Sequence, residues 1–351
     1  MIYVLSAICI SAVAYYGLFA NNTMRQKYTN IINAFFLFII AAAKSIELSP
    51  VDDLINYKNL FYMVGVMEYS DIISLGKTGD LKDPIFSVVA KFFNNIGFSA
   101  ETWMGMIALL FAACFCYLVF KNSKNAWMSM LILFAMYFSF TLTGLRQTMA
   151  MSFICLAFNS LLHKKPKEYL VFVIIAILFH SSAILFLPAY LIAKQKIGIK
   201  QIIYIVAVLL VANFFPDVFR NLIETFAWNE EILAYADRTV ALSWSGFIIE
   251  LFILVFCLIV RNYHLQNTEL KTIDMLINCL IVSICFLALS TVVAEAFRLS
   301  FYYSLGSTVL IPNVLNLEKT KEKPIWEFLI SLTFFLYLLW SSPYSAFVFF
   351  N

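Results

Sequence analysis

Three side chains in this sequence sit where apolar surroundings make a charge or a titratable ring costly: Arg146, His180 and Arg298. Arg146 stands in TLTGLRQTMAMSF, between the apolar runs Ala126 to Leu142 and Gln147 to Leu162, so the pattern predicts a guanidinium in a short turn where two hydrophobic helices meet. His180 interrupts the apolar stretch Tyr169 to Ala193 beside Ser181 and Ser182, and Arg298 follows Glu295 in EAFRLSFYY. Two guanidiniums facing one cavity suit a phosphate or pyrophosphate, because each offers a planar fork of donors and cannot lose its proton. An imidazole, with an unperturbed pKa of about 6.5, can accept a proton or donate one to a phosphate. Each residue also has a plainer reading: Arg146 snorkelling to lipid, His180 as a hydrogen-bonded helix breaker, Arg298 ion-paired to Glu295 three residues away. No Gly-rich phosphate loop, GxSxG, HExxH or DxD occurs, and the seven cysteines show no CxxC spacing, so neither a metal, a cofactor nor a disulfide is expected.

The elements that must hold these groups are membrane helices. Of 351 residues, 62% are hydrophobic and 13% charged, and the charges cluster between apolar runs, which predicts an all-α polytopic bundle occupying 1–351 as one membrane domain. The net charge of +3 comes from lysines in short loops, where membrane topology explains it, so no nucleic-acid partner is indicated. Ile2 to Ala20 reads as a retained first helix and Ile31 to Ile46 as the second. An outer loop, 47–101, carries eight acids against four lysines, with two stretches of helical spacing, Asp53 to Val66 and Pro84 to Ile96, that suit helices lying on the membrane surface. Tyr57 there reads as an aromatic-belt residue and Asp83 as a helix N-cap before Pro84. Further helices are expected at Trp103 to Phe120, Ala126 to Leu142, Gln147 to Leu162, Ile202 to Phe215, Phe247 to Val260, Ile273 to Val293, Leu299 to Leu315 and Ile325 to Trp340, with a second outer loop at 216–245.

Lysine-rich loops fix the topology. HKKPKE and KQKIGIK flank Tyr169 to Ala193 and both read as cytoplasmic, so that segment is expected to go in and come back, a re-entrant or broken helix bent at HSS; one long tilted helix is the alternative. Hydropathy then gives about eleven apolar segments. The same topology brings Asp52, Asp53, Tyr57, Asp83, Arg146, Glu295 and Arg298 to the outer face, with His180 pointing toward it.

With those residues in place, the chain resembles the EpsG-type, Wzy-like polymerases of bacterial exopolysaccharide, capsule and O-antigen. The resemblance rests on Asp53 and Tyr57 in VDDLINY, on DPIF from Asp83, on Arg146 and Gln147 in LRQTMA, on His180 in FHSSA, on Glu295, Arg298, Tyr302 and Tyr303 in EAFRLSFYY, and on Pro343–Tyr344. It implies a GT-C-like fold in the bacterial inner membrane and a glycosyltransferase with its active face outside. The implied reaction polymerises oligosaccharide repeat units carried on undecaprenyl pyrophosphate. It implies pyrophosphate binding by Arg146 and Arg298, a base chosen from His180, Asp53 and Glu295 in that order, and sugar stacking by Tyr57, Tyr302 and Tyr303. Membrane lipid, a chain-length regulator and the flippase of the same pathway are the implied partners. Two rival readings stay open: a flippase or transporter of the lipid-linked sugar, and an O-antigen ligase.

Overall fold

A computed structural model describes residues 31–32, 52–217, 221, 225, 244–264, 270–290, 292–293, 296–317 and 323–340. Among the described residues every regular element is helical. The helix expected at 2–20, nearly all of that at 31–46, most of the loop at 216–245, and Glu295 lie outside them. Three described helices, Ala100–Asn122, Gly246–Tyr263 and Leu270–Leu289, have the length and composition to cross a membrane. The chain forms two compact units, residues 1–184 with 324–351, and residues 185–323.

The first unit begins with three short helices, α1 (Asp52–Val66), α2 (Tyr69–Thr78) and α3 (Pro84–Asn95). They are followed by α4 (Ala100–Asn122), α5 (Ala126–Met136), α6 (Phe138–Thr143), α7 (Leu145–Leu162) and α8 (Pro166–Phe179). Local chemistry starts these helices. Ser99 caps α4 by accepting the Thr102 N–H at 3.2 Å, and Asn125 caps α5 through the Met128 N–H. Pro166 opens α8 with Glu168 in its first turn. Helix α7 packs along both α4 and α8.

Helices α1 and α3 pack on α4 and α7 through one apolar cluster. Leu54, Phe61 and Val64 of α1 and Phe86 and Ala90 of α3 meet Trp103 and Ile107 of α4 and Leu145 and Met149 of α7. The Trp103 ring centroid is 5.3 Å from that of Phe61 and 5.1 Å from that of Phe86. Helices α1 and α3 cross closely at Gly65, where a Cβ would come within 2.5 Å of Asn94 Oδ1. The buried Lys91 donates to the Gly65 carbonyl at 3.1 Å and lies over the Tyr69 ring, a cation at the C-terminal end of α1. Ile55, Tyr62, Met63, Val66 and Ile73 stay exposed.

Two expectations are corrected here. The helix expected over 126–142 is divided at Tyr137, in a stretch whose aromatic and hydroxyl-bearing residues are weak helix formers. Arg146 is the second residue of α7 rather than part of a turn; the joint between α6 and α7 is Gly144 alone.

Helix α8 ends at Phe179, His180 is extended at φ −155° and ψ 113°, and a 3₁₀ turn, Ser181–Phe186, follows. The second unit continues through α9 (Ala189–Ile192), α10 (Ile199–Phe214), α11 (Trp244–Tyr263), α12 (Leu270–Leu289), α13 (Ala296–Ser304) and α14 (Ser307–Leu317). Helix α12 is its axis: α9, α10, α11, α13 and α14 all pack on it. Tyr303 Oη donates to the Leu185 carbonyl at 2.6 Å while its ring meets Phe286, and Asn278 Nδ2 donates to the Ala193 and Gln195 carbonyls. Residues 185–195 therefore run antiparallel to α12. The helix expected at 299–315 is broken at Leu305–Gly306, where glycine weakens the helix and Pro312 obstructs the turn before it.

Candidate functional site

Asp83 is the residue on which the first unit's polar groups converge. It occupies the position before α3, yet its side chain makes no capping bond. One carboxylate oxygen, Oδ2, lies 3.0 Å from His180 Nδ1 and 3.4 Å from Arg146 Nη1. The other accepts the Ser181 N–H at 3.1 Å. The N-cap reading is thereby corrected: the carboxylate serves α7 and the break after α8, not its own helix. The backbone is bent to allow this. Asp83 sits at φ 48° and ψ 63°, a left-handed conformation that a non-glycine residue before proline adopts only when its surroundings enforce it.

Each partner is aimed by a separate device. At the α6–α7 joint, Thr148 Oγ1 donates to the Thr141 and Gly144 carbonyls, and a Cβ on Gly144 would meet the Phe140 ring at 2.5 Å, so the joint is closed and sized for glycine. Arg146 leaves α7 at a fixed place as a result. A cation in a helix's first turn opposes the helix dipole, and the neighbouring Asp83 carboxylate offsets that cost. Tyr57 Oη accepts the Arg146 backbone N–H, in the first turn of α7, at 3.5 Å, and the guanidinium lies 6.0 Å from the Tyr57 ring centroid. His180 is set by the end of α8, where its own N–H closes on the Ala176 carbonyl and the Phe179 ring stacks on Phe153.

The electrostatics follow from this geometry. Burial opposes ionisation of Asp83, whose side chain is 8% exposed, but the bond to His180, the charges of His180 and Arg146 and the Ser181 N–H outweigh it, so its carboxyl is held below the ordinary value. Lys82 next door is pulled down by partial burial and then by Arg146, against the opposing pull of Asp83. Lys82 and Arg146 thus both act on the Asp83 carboxylate or on each other across this corner. An ionised carboxylate only accepts, so His180 Nδ1 carries the proton of their bond and Nε2 is left to take or give one. The Arg146 and His180 side chains are each 26% exposed, enough to meet a ligand.

The other predicted residues distribute as follows. Asp53 is exposed on α1, one turn before Tyr57. Arg298, Tyr302 and Tyr303 belong to the second unit, on α13. The guanidinium of Arg298 lies 5.7 Å from the ring centroid of Phe297. Tyr302 and Tyr303 are 0% and 1% exposed, and the Tyr303 ring is packed between Phe186 and Phe286. Sugar stacking needs an open ring face, and neither tyrosine has one. The described residues contain no group of three or more His, Cys, Asp or Glu arranged to hold a metal. Cys114, Cys116, Cys155, Cys257 and Cys279 are buried among apolar side chains.

The sequence reading gave Asp83 no chemical role and passed over Glu250. Asp83 stood in the group of residues on one face and in DPIF, but an N-cap before Pro84 explained it without any long-range partner. Glu250 is 2% exposed inside α11, beside the Ser283 and Ser304 hydroxyls. A lone acid in an apolar run was the available signal for it.

A family model described as EpsG family matches residues 27–350, and the chain belongs to that family. Membership suggests a glycosyltransferase-like role related to polysaccharide polymerisation in a membrane protein. No curated protein and no solved structure matches the chain.

Proposed function

We propose that this EpsG-family protein is a membrane glycosyltransferase that joins oligosaccharide repeat units carried on undecaprenyl pyrophosphate, working at the outer face of the bacterial inner membrane. The observation that carries the proposal is the Asp83 carboxylate bound at once by His180 Nδ1, the Ser181 N–H and Arg146 Nη1. An acid–imidazole pair beside a guanidinium supplies both things that glycosyl transfer from a pyrophosphate needs.

In the reaction, a hydroxyl of the acceptor sugar attacks the anomeric carbon of the donor chain. The new C–O bond forms as the bond to the pyrophosphate oxygen breaks, and the electron pair leaves with the diphosphate. His180 Nε2 takes the hydroxyl proton, while Asp83 fixes the tautomer and stabilises the imidazolium. Arg146, with Lys82 beside it, stabilises the charge growing on the leaving group. Arg298 is the second guanidinium for the diphosphate in this reading, and Asp53 and Glu295 are the further candidates for base. Tyr57 positions Arg146, and Tyr302 and Tyr303 build the core. A chain-length regulator and the pathway's flippase are the proposed partners.

Replacing Arg146 with Ala and resolving surface polysaccharide on a gel tests this reading. Single-repeat product is expected. Normal long ladders would remove the polymerase role, and loss of lipid-linked units from the outer leaflet would favour a flippase.

A further inference from the structure

The second unit contains a cavity far in sequence from Asp83, and its chemistry changes from one end to the other. Helices α10 and α11 both pack on α12, and between them opens a cavity of about 190 Å³. Its walls are Ile202 and Ile205 of α10 and Leu254 and Leu258 of α11. Its polar end is made by Gln201 and Asn262, where α10 begins and α11 finishes.

Among the described residues, the charge at that end is unbalanced. Arg261 borders the cavity, but its fork is closed on Asp274, at 2.6 Å and 3.0 Å, and its Nη1 donates to Asn262. Two lysines are different. Lys196 and Lys200 flank the cavity-lining Ile197 and Gly198 in the chain and are exposed. The stretch of chain that carries them is anchored, since Asn278 holds the Ala193 and Gln195 carbonyls and Gln201 Nε2 donates to the Lys196 carbonyl. Two ammonium groups carried on an anchored stretch of chain beside an apolar slot match a molecule with a phosphate at one end and hydrocarbon at the other. Ile203 and Leu210 of α10 and Phe252 and Ile259 of α11 are all about half exposed on either side, so what reaches the slot comes through the bilayer.

We propose that this groove binds an anionic phospholipid, its phosphate at Lys196 and Lys200 and the start of one acyl chain between Ile202, Ile205, Leu254 and Leu258. The net positive charge selects against a zwitterionic lipid, which brings its own cation to the same place. The proposal is independent of the chemistry at Asp83.

Thermal unfolding of the full-length protein in neutral detergent tests it, with phosphatidylglycerol, phosphatidylcholine or inorganic phosphate added. Phosphatidylglycerol should raise the midpoint by about 3 °C more than phosphatidylcholine, and inorganic phosphate should leave it unmoved. The Lys196→Gln/Lys200→Gln double variant, and separately Leu258→Trp, which fills the slot without altering charge, should each abolish the difference. Equal shifts from the two lipids, the same shift from inorganic phosphate, or a full difference surviving in either variant would overturn the proposal. Should a variant fail to fold, native mass spectrometry of the wild-type protein decides: offered both lipids equally, it should retain phosphatidylglycerol, and indifference between them contradicts the site.

Discussion

Asp274 and Asp83 each meet an arginine, and the two meetings differ in every geometric respect. Asp274 takes Arg261 in a bidentate fork, Nε at 2.6 Å and Nη2 at 3.0 Å. Asp83 touches Arg146 through one nitrogen at 3.4 Å, long against the usual charge-assisted distance of about 2.8 Å, and divides its oxygens among His180, Ser181 and Arg146. The first pair joins α11 to α12 across 13 positions of sequence and has used its directional bonding capacity on itself. The second gathers groups 63 and 97 positions away and holds its arginine loosely. A bidentate fork at these distances is a strut; a single long contact at a carboxylate shared with an imidazole is one that a ligand's anion can replace.

If that contrast is right, breaking the open corner should abolish function and breaking the strut should cost stability. Arg146→Ala should lower polymerisation by about 10²–10³-fold, read as chain length on a gel, and Arg146→Lys should rescue little of it because an ammonium lacks the fork. His180→Gln should lower turnover by about 10²-fold or more and remove the limb of the pH–rate profile that the base contributes, a change that lost packing alone would not produce. Asp274→Asn should destabilise the protein by roughly 1–2 kcal/mol, measured by thermal unfolding in detergent, with chain length unchanged. Tyr57→Phe should have the smallest effect, a decrease of a few-fold, since it removes one weak acceptor for the Arg146 N–H and keeps the ring.

The pH dependence sharpens the same comparison. Because the folded Asp83 carboxyl ionises below its ordinary value, its contribution to stability is fully present above the unfolded value and is lost as pH falls through the folded one. Wild type should therefore lose stability more steeply than Asp83→Asn does as pH falls through and below the ordinary carboxylate range, and parallel curves would show that the carboxylate is not held by these partners.

Much of the frame was readable in the sequence because it depends on local pattern. Apolar length marked α4, α7, α11 and α12, helical spacing marked α1 and α3, and the HSS triplet marked the end of α8. Arg146 and His180 stood out as polar groups in apolar surroundings. Asp83 did not, because an aspartate before Pro84 already has a satisfactory local explanation; only the packing of α3 against α8 and the end of α7 reveals another. Tyr57 was misjudged for a similar reason, since a belt tyrosine and one that holds an arginine's N–H look alike until α1 is laid across the start of α7. The enclosure of Tyr303 is not visible in its local sequence, because the rings packed against it, Phe186 and Phe286, come from two other segments.

The most direct test of the account is the length distribution of surface polysaccharide made by Asp83→Ala beside Asp274→Ala, with both proteins present in the membrane at wild-type amounts. The account predicts single repeats from Asp83→Ala and full ladders from Asp274→Ala. Full ladders from Asp83→Ala would contradict it.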